Sequence, residues 1–304
     1  MSRFFLSLFL LSIFSMGTAS AQQRLVLGTA TPGGGFPVFG AAFTEMVNAQ
    51  EPRLLIEPRN TKGSTENVAL LEANQVDLAL VLGEIASAAL SKPDTGLRII
   101  TAMYASPGVL MVRGDSPYRT LADLRGKPVV LGASASGITQ LGRTVFSSLD
   151  IDIKPILLEK VADGPAMFTD GRAEAIWGAG VGWPAFVALA KSGGRFIGPS
   201  DAEIETILKK NATLQRVTLP AKSYPGQEVA VPSVGSWSYV LAKPALPEAA
   251  AYLLARAIHR AESPLAARLE QARETTMANT IAAAPRPELI HPGVRRYLAE
   301  AGLR

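Results

Sequence analysis

The stretch TATPGGGFPVFGAAFTEMV, residues 29–47, passes from a short apolar run into a helix pattern, with Gly33, Gly34 and Gly35 at the junction. Glycine lets a backbone come close to a ligand without a side chain in the way. A helix that starts there leaves its first N–H groups unpaired and carries a partial positive charge, so the junction suits an anionic group. A dinucleotide fingerprint is the competing reading, since Glu57 stands near the end of the next strand. Its spacing fails: counted from Gly33 and Gly35, the third small residue falls on Val38, and Pro37 sits where the helix should begin.

Two more junctions have the same chemistry, TKGSTEN at 61–67 and GASASGIT at 132–139. Three such loops converge on a cleft if the strands of two units point their carboxyl ends towards it, and a carboxylate or small phosphate is then gripped from both sides. The candidate ligand-facing residues are Gly33, Gly34, Gly35, Gly63, Ser64, Thr65, Asn67, Ser136, Gly137 and Thr139; Lys62 either adds positive charge to them or serves, as exposed lysines commonly do, only as a solubilising residue. Ser64 equally has the chemistry of a helix N-cap, a role worth about 1 kcal/mol. Phe36, Trp177 and Trp183, the last preceded by Gly182, supply apolar walls of the kind that line pockets. Core packing is the rival role for Phe36 and Trp177.

Outward from these loops, apolar runs of strand length recur: RLVLG, RLLIEP, VDLALVL, LRIITAMY, KPVVLG, IKPILLE, AEAIWG and SYVLAK. Helix candidates lie between them at 40–48, 64–72, 138–149, 166–170 and 185–190, and the chain is mainly helical from Pro247 onward. The alternation predicts an α/β fold with buried, mostly parallel strands. Turn chemistry places one domain crossing near Arg113 and a second within YPGQEVAVPSVGSW, residues 224–237. Residues 22–113 with 229–304 then form one discontinuous unit, and residues 114–228 the other.

Bulk properties narrow the function. Arg3, the apolar run from Phe4 to Met16 and Ala19-Ser20-Ala21 form an export-signal pattern over residues 1–21, so the mature chain is expected to start near Gln22, in a periplasm. With 48% hydrophobic and 18% charged residues the rest is globular. The absence of cysteine removes disulfides, thiol nucleophiles and cysteine metal sites. A net charge of +4 with scattered basic residues argues against nucleic acid as a partner.

Enzyme readings find little support. GASASG lacks the glycine that a serine nucleophile elbow needs at position 136, where Ser136 stands. His259 reads as a helix-surface residue and His291 as a turn residue, and two isolated histidines do not supply a zinc site. Oxygen-ligated calcium or magnesium stays open, but Glu203 and Glu205 read as a solvated helix face. No cofactor and no metal are expected.

The ordered motifs resemble the TAXI group of solute receptors, extracytoplasmic binding proteins that work with TRAP transporters. GTATPGGGFPVFG is similar to the family's first glycine loop, and TKGSTENVALL to its T-G-G-S-x-E-N-x-x-L-L segment, with Asp77 following. TLADLRGKPVVLGASASG, GWPAFVALA, YPGQ and HPGVRRYLAEAG resemble the later segments in order. The resemblance implies a type II periplasmic-binding-protein fold, two α/β lobes closing around a ligand cleft. It also implies capture of a small organic anion, delivery to a TRAP membrane subunit, and no chemistry on the ligand. Departures fall at the pocket: Phe36-Pro37 replaces paired aromatics, Ile138 a threonine, and Leu82-Gly83-Glu84 a polar segment, which puts Gly83 and Glu84 at the rim beside Lys62 and weakens glutamate as the ligand. Two other classes stay open, a ligand sensor that reports to a membrane kinase and an enzyme on the same scaffold using Glu84 or Ser136.

Overall fold

All eight apolar runs form strands in the structure, a computed structural model that describes residues 22–303; the expected export signal, residues 1–21, lies outside them. The strands are β1 (Gln23–Gly28), β2 (Leu54–Arg59), β3 (Leu78–Val81), β4 (Arg98–Val112), β5 (Pro128–Gly132), β6 (Lys154–Leu157), β7 (Ala175–Ala179), β8 (Arg195–Ile197), β9 (Gln215–Leu219) and β10 (Val231–Ala242). The helices are α1 (Gly35–Gln50), α2 (Ser64–Glu72), α3 (Gly83–Leu90), α4 (Gly137–Ser148), α5 (Asp163–Thr169), α6 (Pro184–Lys191), α7 (Asp201–Lys210), α8 (Glu248–Arg268), α9 (Met277–Ala283) and α10 (Pro292–Glu300).

The strand order is β2-β1-β3-β10-β4-β7-β5-β6, with β8 on β4 and β9 on β10. Parallel pairing is confined to β1 with β2 and β3, and β5 with β6 and β7. β10 runs antiparallel to β3, β4 and β9, and β4 antiparallel to β7 and β8. The sheet is therefore mixed, which corrects the expectation of mostly parallel strands. A chain that leaves one lobe on β4 and returns on β10 must lay these two strands side by side in opposite directions. Their exchange of partners centres on Pro107–Gly108, a few residues before Arg113, and on Gly235, within the segment 224–237.

Each lobe buries its sheet on both faces, which is why β3 is apolar throughout. In the first, Phe39, Phe43 and Val47 recur at helical spacing along α1 and pack with Leu254 and Ile258 of α8 over Leu25, Leu27 and Leu80. Val68 and Leu71 of α2 and Ala86 and Leu90 of α3 cover the opposite face. In the second, Leu141 and Val145 of α4 and Ile204 and Ile207 of α7 lie on one side, and Phe168 of α5 and Phe186 of α6 on the other. Glu203 closes a capping box with Ser200 at the start of α7, a structural task in place of the solvated role expected of it.

Glu51, at the end of α1, is only 3% exposed. Its carboxylate accepts from Arg53 Nε at 2.7 Å and Nη2 at 3.0 Å, and also from Arg256 of α8. Those bonds, led by Arg53, outweigh burial and hold the carboxyl down to about 2. A depressed acid stabilises the fold above its ordinary value of 4.5, and that stability is lost as pH falls towards 2. We expect Glu51→Gln to cost about 2 kcal/mol in urea unfolding at pH 7, with the gap to the parent protein narrowing below pH 4.5.

Candidate functional site

At the carboxyl ends of β1, β2, β3, β5 and β7 the two lobes line a cavity of about 80 Å³. The first turns of α1, α2 and α4 line it through Gly35 and Phe36, Ser64, and Gly137 and Ile138. Their N-cap residues are Gly34, Gly63 and Ser136, and none of these gives a side-chain hydrogen bond to the turn it precedes. The Ser200, Thr276 and His291 side chains cap α7, α9 and α10, whereas α3, α5, α6 and α8 also start without a side-chain cap, so it is the shared cavity that sets α1, α2 and α4 apart. Three helix starts thus bring unpaired N–H groups and positive partial charge to one enclosed space.

The lobes meet around this space. Gly63 has φ +113°, and a Cβ there would stand 3.2 Å from Ser136 Cα and 3.3 Å from Ala135 O across the cleft. At Gly137 a Cβ would lie 2.7 Å from Leu82 Cβ and 2.8 Å from Ser64 Oγ. Glycine lets the chain at Gly63 meet the opposing backbone and the chain at Gly137 meet the Leu82 and Ser64 side chains, so the cleft can shut. Trp183 Nε1 donates to Gly33 O at 3.0 Å, joining the start of α6 to the first glycine loop. Gln271, from the turn after α8, reaches Gly180 beyond β7.

The walls are aromatic and aliphatic: Phe36, Leu82, Tyr104, Leu131, Ile138, Val161, Trp177 and Trp183. Trp177 is buried, donates from Nε1 to Ile138 O at 2.8 Å and meets Phe146 edge-on. Trp183 packs on Phe186 with ring centroids 4.6 Å apart. Tyr224, from the YPGQ turn, accepts the Trp183 backbone N–H and donates to Gly180 O, each at 3.2 Å. Lys62, exposed at the entrance, is the one charged residue among those lining the cavity.

Of the residues expected at the site, Gly34, Gly35, Phe36, Lys62, Gly63, Ser64, Ser136, Gly137, Trp177 and Trp183 are brought together at the cavity. The Ser64 hydroxyl accepts from Leu82 N at 3.1 Å and does not cap α2, whose cap is Gly63. Seven others do not line the cavity. Asn67 is fully buried and gives its amide to Thr29 O and Leu80 O, both at 2.7 Å, tying α2 to the strand ends. Thr139 donates to Leu131 O at 3.0 Å inside the second lobe. Thr65 faces solvent, Gly182 is an exposed turn with φ +72°, and Gly33 contributes its carbonyl to Trp183. Gly83 lies against Ser236 and Trp237 of β10, and Glu84 turns the same way, away from the rim where it was expected.

The sequence reading missed Tyr104, Ser106, Leu131, Val161 and Gln271 as lining residues, while Leu82 and Ile138, expected at the pocket, do line it. Leu82 and Leu131 sit at or just past the carboxyl ends of apolar strands, a position that signals a cleft floor once the fold is known. Gln271 carries no such signal. His291 is buried, accepts from Gly293 N at the start of α10 and contacts Leu246 O, so it is a capping residue and not a plain turn residue. His259 is half-buried and bonds Tyr297 Oη at 2.7 Å. Among the described residues no three histidine, aspartate or glutamate side chains gather as a metal site requires.

Glu84 accepts from Ser236 Oγ at 2.5 Å through Oε2, while its buried Oε1 has no partner. Burial pushes its carboxyl above the ordinary value. For an acid raised in this way the unfolded chain ionises first, so stability is full below pH 4.5 and is lost as pH rises through the folded value. Glu84→Gln should therefore melt above the parent protein at pH 8, and the two should converge at pH 4 in thermal unfolding.

Similar solved structures share this architecture. The periplasmic binding protein BugD is 12% identical, with a TM-score of 0.60 over 93% of this chain and 99% of that one. MatC from Rhodopseudomonas palustris, solved with bound malate, is 16% identical, with a TM-score of 0.58 over 91% of this chain and 96% of that one. The periplasmic aliphatic sulphonate binding protein SsuA of Escherichia coli is 18% identical, with a TM-score of 0.53 over 91% and 83%. At these identities the likeness establishes the two-lobed binding-protein fold. Residues 27–302 match the NMT1-like family, and the chain belongs to that family.

Proposed function

We propose that the protein is an exported solute receptor that captures a small organic anion by lobe closure and hands it to a membrane transporter. The carrying observation is that three helix starts without side-chain caps, α1, α2 and α4, open on one cavity lined by a single charge, Lys62. Such a site rewards an anion with backbone hydrogen bonds and requires no reaction. The lobes in this proposal are residues 22–113 with 229–304, and residues 114–228, hinged on β4 and β10. Closure is a shift between open and closed populations driven by the ligand's preference for the closed one.

The finer assignment, a TAXI-type receptor serving a TRAP membrane subunit from the periplasm, rests on the ordered motifs and on the signal pattern in residues 1–21. Among the described residues no helix is long and apolar enough to cross a membrane. We take the receptor to perform no chemistry, because the cavity brings together no acid, base or nucleophile pair.

The test is a thermal-shift panel of carboxylates, sulphonates, keto acids and amino acids on the mature chain, refolded to strip carried-over ligand. At a hundredfold excess over Kd, binding adds about 2.7 kcal/mol, which is a rise of roughly 5 to 10 °C. A selective rise with an anion is expected; a rise with neutral or cationic solutes alone would overturn the proposal. A Cβ at Gly35 would meet no heavy atom within 4 Å, so Gly35→Val has room in the ligand-free protein. It should abolish the rise while leaving the ligand-free Tm within about 2 °C.

A further inference from the structure

We infer that the anion taken by this cavity carries one charge on an apolar, flat body, as an aromatic monocarboxylate does, in preference to a dicarboxylate or an amino acid. The inference rests on the small-anion proposal above and comes from what the walls can no longer offer. Both tryptophans have spent their only donors: Trp177 Nε1 on Ile138 O and Trp183 Nε1 on Gly33 O. Trp183 and the small exposed part of Trp177 offer the ligand carbon surface and no hydrogen bond.

Small residues seat these rings. A Cβ on Gly178 would stand 2.8 Å from Trp183 Cζ3, and one on Gly142 would stand 2.9 Å from Trp177 Nε1. The rings are thus packed and bonded in place, a rigid surface suited to stacking a planar group.

Charge completes the selection. No aspartate or glutamate lines the cavity, so a ligand ammonium group would be desolvated without a counter-charge. Glu84, the acid nearest in the chain to Leu82, is committed to Ser236 on the far side of β10. A second carboxylate would compete for the same helix starts and for Lys62, or lie against Leu131, Val161 and the indoles uncompensated. Thr31, Ser64, Tyr104, Ser106, Ser136 and Gln271 are neutral: their hydroxyl and amide groups can hydrogen-bond a ligand oxygen but cannot balance a second charge.

Calorimetric titration of the mature chain with matched compounds tests this. Benzoate, phenylacetate and 4-hydroxybenzoate are the monoanions; phthalate adds a carboxylate, phenylalanine an ammonium, and phenylacetamide removes the charge. At least one monoanion should bind tenfold more tightly than each of the other three and than malate. Lys62→Gln should weaken it roughly tenfold without moving the ligand-free Tm, since a charge-assisted hydrogen bond is lost from an exposed residue. Tightest binding of phthalate, malate or phenylalanine would overturn the inference and leave the small-anion proposal standing. Equal binding of phenylacetamide would overturn the charge requirement and with it both. If no aromatic monoanion binds, the inference falls, and the wider anion panel then decides the proposal separately.

Discussion

Backbone N–H groups in the first turn of a helix have no partner within that helix, and burying them unpaired is costly. The starts of α1, α2 and α4 place three such sets on one cavity, with caps that lend them no side-chain bond. Much of the remaining architecture makes that arrangement possible. Parallel strands β1, β2 and β3 end together in one lobe, and β5 and β7 in the other, so each helix that follows begins at the same edge. The long pair β4 and β10 then fixes how the two edges face each other.

Closure depends on the absence of side chains at least as much as on attraction. At Gly63 the opposing backbone, and at Gly137 the Leu82 and Ser64 side chains, lie within contact of where a Cβ would be. Leu82 is buried in the second lobe's apolar cluster and Phe36 packs against the clusters of both lobes, so the seam joins backbone contact to a small apolar one. The direct polar link across it is Trp183 Nε1 to Gly33 O. A closed state held by one hydrogen bond and a few close contacts leaves a ligand between the lobes able to shift the balance, which is what a receptor that must also release its ligand requires.

Glycine loops between apolar runs were legible because they follow from local chemistry: strand, turn, helix start. What could not be read was where polar side chains near those loops would turn. Asn67, the fourth residue of α2, and Thr139, the third of α4, stand on the face that packs on the sheet, and both bond strand-end carbonyls. Glu84 follows a strand that ends at the cavity, yet α3 rotates it towards β10. Gln271 reaches the cavity only because the C-terminal helices fold back over the first lobe. Turn residues mark where a chain bends, whereas β4 and β10 change partners within the strands, at Pro107–Gly108 and at Gly235, the latter inside the segment 224–237 that the turn chemistry points to.

Uncapped helix starts say that an anion fits, and they say it for any anion, because every helix has the same N–H groups. Discrimination must come from side chains, and here those are few. An exposed lysine supplies charge without the bidentate geometry that arginine would give a carboxylate. The indole N–H groups, which in another pocket would read a ligand's oxygen atoms, are spent on Ile138 O and Gly33 O. Those bonds orient the rings and remove them from polar recognition in the same step. The backbone therefore sets the sign of the ligand's charge, and the committed tryptophans set the character of the rest of it.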